Sequence, residues 1–92
     1  MIQSFGSKET EEPFQHPHSR RFRAIEGIAL PKLLQLHAAT ELQTLASPPE
    51  RRLEALRASR KGQHSIRIND QWRICFTWRD GHCHAVEIVD DH

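Results

Sequence analysis

Ninety-two residues set the scale of a single domain, 1–92, with only a modest core. Thirteen Lys and Arg stand against twelve Asp and Glu, for a net charge of +1, and no apolar run is long enough for a membrane-spanning helix. Two cysteines cannot build a disulfide framework, and MIQSF is followed by GSKETEE rather than by an apolar leader, so a cytoplasmic chain with reduced thiols is expected.

Residues 1–5 read as a short strand with Ile2 and Phe5 as its anchors. Ser7 is a good N-cap for a helix over residues 7–15, with Glu9, Glu11 and Glu12 where acids suit the positive end of the helix dipole. Pro13 inside that stretch predicts a short or broken element. Ser19 is placed to cap a second helix, whose core-facing stripe is Ile25, Ala29, Leu33 and Leu36, with Ile28 beside it. Pro31 is expected to kink this helix near residues 27–30, or to serve as a fresh first position. Thr40 caps a one- or two-turn piece over 41–45, which Ser47, Pro48 and Pro49 stop. Residues 51–57, RRLEALR, lack clean alternation and read as a short strand or extended segment before a basic loop over 58–62.

The next stretch, QHSIRINDQWRICFTW over 63–78, alternates with period two. Ile66, Ile68, Trp72, Ile74, Phe76 and Trp78 share one face; Ser65, Arg67, Arg73, Cys75 and Thr77 share the other. Keeping Ile68 and Trp72 together requires the turn Asn69-Asp70-Gln71, which pairs Ile66 with Ile74. For the following strand two registers compete. A two-residue Asp80-Gly81 turn pairs Arg79 with His82 and brings Glu87 onto the face of Trp72. A three-residue turn, Arg79-Asp80-Gly81, pairs Trp78 with His82, Ile74 with Val86 and Trp72 with Ile88, and core burial favours it. On that register Arg67, Arg73 and Glu87 lie side by side across three strands, Cys75 and Cys83 are diagonal neighbours, and His84 fills a core edge. The order of elements predicts an α+β domain, two N-terminal helices packed on one face of a mainly antiparallel β-sheet.

Charge is unevenly spread. From Arg51 to Arg79 there are eight Lys or Arg and two acids, Glu54 and Asp70; the remainder holds five basic and ten acidic residues. Two arginines directly opposite each other cost stability unless an acid or a bound polyanion offsets them. A cationic sheet half fits contact with a nucleic-acid backbone, and it equally fits an acidic protein partner.

LEALR at 53–57, Arg60-Lys61-Gly62, NDQWRI at 69–74 and the closing Asp90-Asp91-His92 form, in order, a set that resembles the HigB branch of the RelE/ParE toxin superfamily. MIQSF at the start and LHAAT at 36–40 are similar to that branch too. The resemblance covers nearly the whole chain and is weakest over 12–30. It implies a type II toxin of RelE-like fold that acts as a ribosome-dependent mRNA endonuclease. In such an enzyme the RNA 2′-hydroxyl attacks its own adjacent phosphate. It also implies neutralisation by a HigA-like, helix-turn-helix antitoxin, with a heterotetramer as one form of the complex.

That chemistry needs a base for the 2′-hydroxyl, cations for the phosphorane and an acid for the leaving 5′-oxygen. Glu54 is the candidate base, Arg73 the candidate phosphate grip through its planar fork, and His92 the candidate acid. Arg57, Arg60, Lys61 and Arg67 are candidates for holding RNA, and Asp90, Asp91 and Glu87 for supporting the site. No cofactor and no metal is expected, because alternate residues of His82-Cys83-His84 point to opposite faces and further ligands are missing. The familiar family pattern has His at Glu54, Lys at Arg57 and Tyr at Asp91. The last departure replaces a phenol with a carboxylate that repels phosphate, which lowers the cleavage efficiency expected and shifts weight to His92. It leaves two alternatives open: a toxin that binds without catalysis, like the gyrase-inhibiting members, and an inactivated relative that only binds its antitoxin. Plain structural roles also stay open, a surface pair for Glu54 with Arg57 and a frayed end for His92.

Overall fold

A computed structural model describes residues 1–8, 10–11, 23–46, 53–56, 60 and 62–90. Among them one α-helix, α1 (Glu26–Ala38), packs against one face of a four-stranded sheet in the order β1-β2-β3-β4. The strands are β1 (Glu54–Ala55), β2 (His64–Arg67), β3 (Trp72–Arg79) and β4 (His82–Asp90), each antiparallel to its neighbour.

The expected stripe is the buried face of α1: Ile25 leads into the helix, and Ala29, Leu33 and Leu36 have no exposed surface. They meet Ile66, Ile68, Ile74, Phe76, Cys83, Val86 and Ile88 from the sheet, with Leu45 from a 3-10 turn over Leu42–Ala46 closing one end. Ile28 stands outside the stripe and is exposed. Pro31 neither ends nor restarts the helix, which runs through it. Proline deprives the carbonyl of Gly27 of its donor, but Gly27 and Pro31 are both exposed, so water can take that bond. The helix opens from a 3-10 turn, Arg23–Ile25, with no side-chain cap; Ser19 lies outside the described residues.

Of the first expected helix, Lys8, Thr10 and Glu11 are helical, and Glu9 and residues 12–15 lie outside the described set. Ser7 caps it as its type predicts: its Oγ accepts the Thr10 N–H at 3.2 Å, and its carbonyl accepts the Glu11 N–H at 3.2 Å.

Alternation places β2 against β3 as expected, with Ile66 opposite Ile74 and Arg67 opposite Arg73. The Asn69 side chain shapes the turn by accepting the N–H groups of Gln71 and Trp72 at 2.9 and 2.8 Å.

The β3–β4 register differs from expectation. Arg79 pairs with His82, so the turn is the two-residue Asp80-Gly81 type, both residues at positive φ (55° and 78°). The parity error this creates is removed farther along: Thr77 pairs with His84 but Cys75 with Glu87, so a bulge at Ala85 and Val86 adds one residue to β4. Core burial is thereby kept by a bulge rather than by a longer turn. Ile74 faces Ile88, Trp72 faces Asp90, and Arg73 faces Val89 rather than standing in a row with Glu87. Cys75 and Cys83 fall on opposite faces, and His84 lies opposite Thr77 on the face away from α1 rather than at a core edge.

The N-terminal segment is strand-like, as read, and runs parallel to β4 through Ile2 with Cys83 and Phe5 with Val86. It covers the outer edge of β4. Met1 and Ser4 carbonyls accept the N–H groups of Cys83 and Val86, and Ser4 Oγ accepts that of Ala85. Farther on, buried Thr10 Oγ1 accepts that of Ile88 at 2.8 Å. An edge strand with its donors occupied is protected from pairing with other chains.

Candidate active site

The face of the sheet away from α1 carries the charged groups. Two successive pairings and one step along a strand build it: Glu54 lies opposite Ser65, Ser65 opposite Cys75, and Arg73 is the same-face neighbour two residues before Cys75. From that position the Arg73 side chain crosses β2 diagonally. Its Nε donates to Ser65 Oγ at 2.8 Å, and its Nη2 lies 3.8 Å from Glu54 Oε2. The guanidinium side chain is 9% exposed, whereas the Glu54 side chain is 57% exposed. A nearly buried cation therefore sits beneath a carboxylate that solvent and ligand can reach. Burial of a charged group is tolerated only with such partners.

Two further arginines flank this pair, each held by an acid. Arg67 donates Nη2 to Asp70 Oδ1 across the β2–β3 turn. Arg60 donates Nη1 to Gln63 Oε1 at 3.1 Å and Nη2 to Glu87 Oε1 at 3.2 Å, reaching over the sheet to β4. Glu87 thus neutralises Arg60, where the sequence reading set it beside Arg73. Asp90 sits opposite Trp72, in phase with the core face rather than the Arg73 face, and accepts Gln71 Nε2 at 3.3 Å at the C-terminal end of β4, beside the β2–β3 turn. Arg57, Lys61, Asp91 and His92 lie outside the described residues.

The structure therefore brings together Glu54 and Arg73, with Arg60, Arg67 and Glu87 on the same charged face. Sequence reasoning passed over Ser65 and Asp70. Ser65 carried a usable signal, a hydroxyl on the arginine face of an alternating strand; Asp70 sits three residues from Arg67 across a turn. On the other face, burial pushes the Cys83 thiol up to about 11, against a smaller opposing effect of the N-terminal ammonium. That thiol, 3.8 Å from the Leu36 carbonyl, belongs to the core. No group of three or more His, Cys, Asp or Glu among the described residues is arranged to hold a metal ion, and no described helix is long and apolar enough to cross a membrane.

Residues 3–92 match the HigB-like toxin family, described as the RelE-like toxin of type II toxin–antitoxin system HigB. The chain is 36% identical over 83 residues to Toxin HigB-1 of Vibrio cholerae serotype O1, covering 88% of this chain and 87% of that protein. Two solved structures share the fold. A mutant of YafQ from E. coli superposes with a TM-score of 0.66 at 17% identity, over 99% of this chain and 92% of that one. The YoeB–YefM complex from Staphylococcus aureus gives 0.59 at 19% identity, over 100% and 98%.

Proposed function

The chain belongs to the HigB-like toxins of type II toxin–antitoxin systems, and on that premise we propose that it is a ribosome-dependent mRNA endonuclease held inactive by an antitoxin. The observation that carries this reading is the approach of Arg73 to Glu54 on the face away from the core, 3.8 Å from nitrogen to oxygen. In the proposed step Glu54 removes the proton of an RNA 2′-hydroxyl. The 2′-oxygen attacks the adjacent phosphorus, a cyclic phosphate forms, and the bond to the 5′-oxygen breaks. Arg73 stabilises charge gathering on the phosphoryl oxygens, and His92 returns a proton to the leaving oxygen. These three groups complete the proton balance without a metal ion. Arg57, Arg60, Lys61 and Arg67 hold the RNA backbone, Asp91 and Glu87 support the site, and Asp90 supports it indirectly by bracing the β2–β3 turn through Gln71.

The antitoxin in this reading is a HigA-like helix-turn-helix protein, with a heterotetramer as the assembled form and the cytoplasm as the place of action. The matched family is that of toxins of type II toxin–antitoxin systems, and a structure that shares the fold is itself a two-protein complex, YoeB–YefM, which supports an antitoxin here. The helical Lys8, Thr10 and Glu11 after the Ser7 cap support a family architecture of two N-terminal helices.

Cleavage-end mapping of translated mRNA after induction tests the proposal. New ends should appear with the native chain. They should vanish with Glu54→Ala, with Arg73→Ala and with deletion of His92, each of which should relieve growth arrest and keep antitoxin binding. Arrest by all three variants with mRNA left intact would remove the nuclease reading. Asp91, where the family pattern has Tyr, favours a second reading in that case, a toxin that binds its target without cutting. Inhibition of gyrase supercoiling would then identify the target.

A further inference from the structure

The cation of the proposed site is aimed by a residue outside the acid–base set. We infer that Ser65 is the positioning residue for Arg73, and that it decides which edge of the guanidinium meets the phosphate; this rests on the nuclease reading above. A guanidinium offers an anion two kinds of bidentate edge, one through Nε and a neighbouring Nη, the other through the two Nη atoms. The Nε of Arg73 is committed to Ser65 Oγ at 2.8 Å, within a buried pair. The Nη end is the one turned toward Glu54, at 3.8 Å. In this inference the phosphate meets the Nη end, next to the carboxylate that takes the 2′-proton, and not the Nε edge that Ser65 occupies.

Three features fit Ser65 to this role. It has no exposed surface, so its hydroxyl does not exchange its partner for bulk water. It stands on β2 between Glu54 of β1 and Cys75 of β3, so one residue fixes the spacing between the carboxylate strand and the arginine strand. The bond is made by a charged donor to a neutral acceptor inside the sheet, a stronger and more directional contact than an exposed pair. Losing it leaves the guanidinium charge in place but lets its plane rotate. A misplacement of about 1 Å in a positioned group costs on the order of 100-fold in rate.

The test compares Ser65→Ala with Ser65→Thr, which keeps an acceptor. Single-turnover cleavage of ribosome-bound mRNA should slow by about 10- to 100-fold with Ser65→Ala, while the half-saturating toxin concentration moves by less than about threefold. Ser65→Thr should restore most of the rate. A change in saturation alone, or equal damage from both variants, would overturn the inference and leave the nuclease reading standing. Absence of cleavage by the native protein would instead overturn the nuclease reading. A second measurement does not depend on activity: the Nε–H of Arg73 in the free protein, observed by nitrogen-15 NMR, should exchange slowly with solvent. That protection should be lost in Ser65→Ala and kept in Ser65→Thr. Fast exchange in the native protein, or protection retained in Ser65→Ala, would show that Ser65 does not hold the guanidinium.

Discussion

Arg67 and Arg73 stand directly opposite each other on β2 and β3, two like charges on one face, and each is tied to its own carboxylate. Opposed like charges are unfavourable in an antiparallel pair. The sheet relieves them by sending one arginine to Asp70 across the turn and the other to Glu54 across β2. The two anchors differ in kind. Asp70 is 99% exposed and can be exchanged for another anion with little effect on the fold, while the Arg73 side chain is almost buried.

Asp70→Asn is therefore expected to leave the thermal midpoint almost unchanged and to release Arg67 for phosphate. In single-stranded RNA each phosphate contact adds roughly 0.7 to the steepness of log affinity against log salt. Fluorescence anisotropy with a short RNA over a salt series should show the variant binding more tightly at low salt, with a slope steeper by about that amount. An unchanged slope would mean that Arg67 makes no phosphate contact in free RNA.

Ala85 gives a second expectation, this one about stability. It carries the bulge of β4 at a φ of 52°, in the left-handed region that costs a residue with a β-carbon roughly 1–2 kcal/mol. Glycine removes that cost and adds about 0.4–1 kcal/mol of unfolded-state entropy to be overcome. The difference predicts that Ala85→Gly raises stability by about 0.5–1 kcal/mol in urea unfolding. Ala85→Val should lower it, because a β-branched residue is excluded from that region more strongly. A destabilised glycine variant would show that the Ala85 side chain contributes more by packing than it costs in backbone strain.

That bulge also marks where the sequence stopped being readable. The faces of 63–78 were legible because alternation leaves one solution for the first hairpin, and Ile66 does pair with Ile74. The second hairpin had two ways to bury Val86 and Ile88: a longer turn, or a tight turn with an extra residue later, and only the second also turns Cys83 inward. Alternation constrains the sum of the two and not its location. A glycine or asparagine at 85 would have betrayed the bulge, but alanine gives no such signal. The approach of Glu54 to Arg73 was in reach, since a strand beside Ser65 sets it within one side-chain length. The role of Ser65 was not, because a serine on a polar face has many ordinary uses. The strand at residues 1–5 was visible from its anchors, but its parallel seat on β4 depends on contacts between opposite ends of the chain.

Gly6 closes that seat. A β-carbon there would fall 3.0 Å from the Ala85 carbonyl oxygen and 3.2 Å from the Glu87 β-carbon. The oxygen is backbone and cannot swing away, so Gly6→Ala has to lift the segment and lengthen the 2.8 Å bond from the Gly6 N–H to the Val86 carbonyl. Overpacking of this kind costs about 1–3 kcal/mol. Hydrogen exchange gives the sharper readout: the N–H groups of Cys83 and Val86, which the segment accepts, should exchange faster, while those of β2 stay protected. Uniform loss of protection would indicate global destabilisation rather than a lifted edge.

Alkaline stability should report on the core thiol. Burial holds Cys83 protonated up to about 11 against an ordinary 9.0. Between those values the unfolded chain gives up the thiol proton and the folded chain keeps it, so the unfolded state binds fewer protons and stability falls as pH rises. The contribution is fully present below about pH 9 and is lost progressively toward pH 11, with a ceiling of about 2–3 kcal/mol from a shift of that size. Cys83→Ala removes the titration at the cost of a small cavity, so it should be less stable at neutral pH yet lose less between pH 9 and 11. Urea midpoints of both proteins across that range check the sign. Parallel slopes would place the titrating group elsewhere. The same burial predicts that the thiol resists alkylation in the folded protein, since the reactive form is the thiolate, and becomes reactive when urea exposes it.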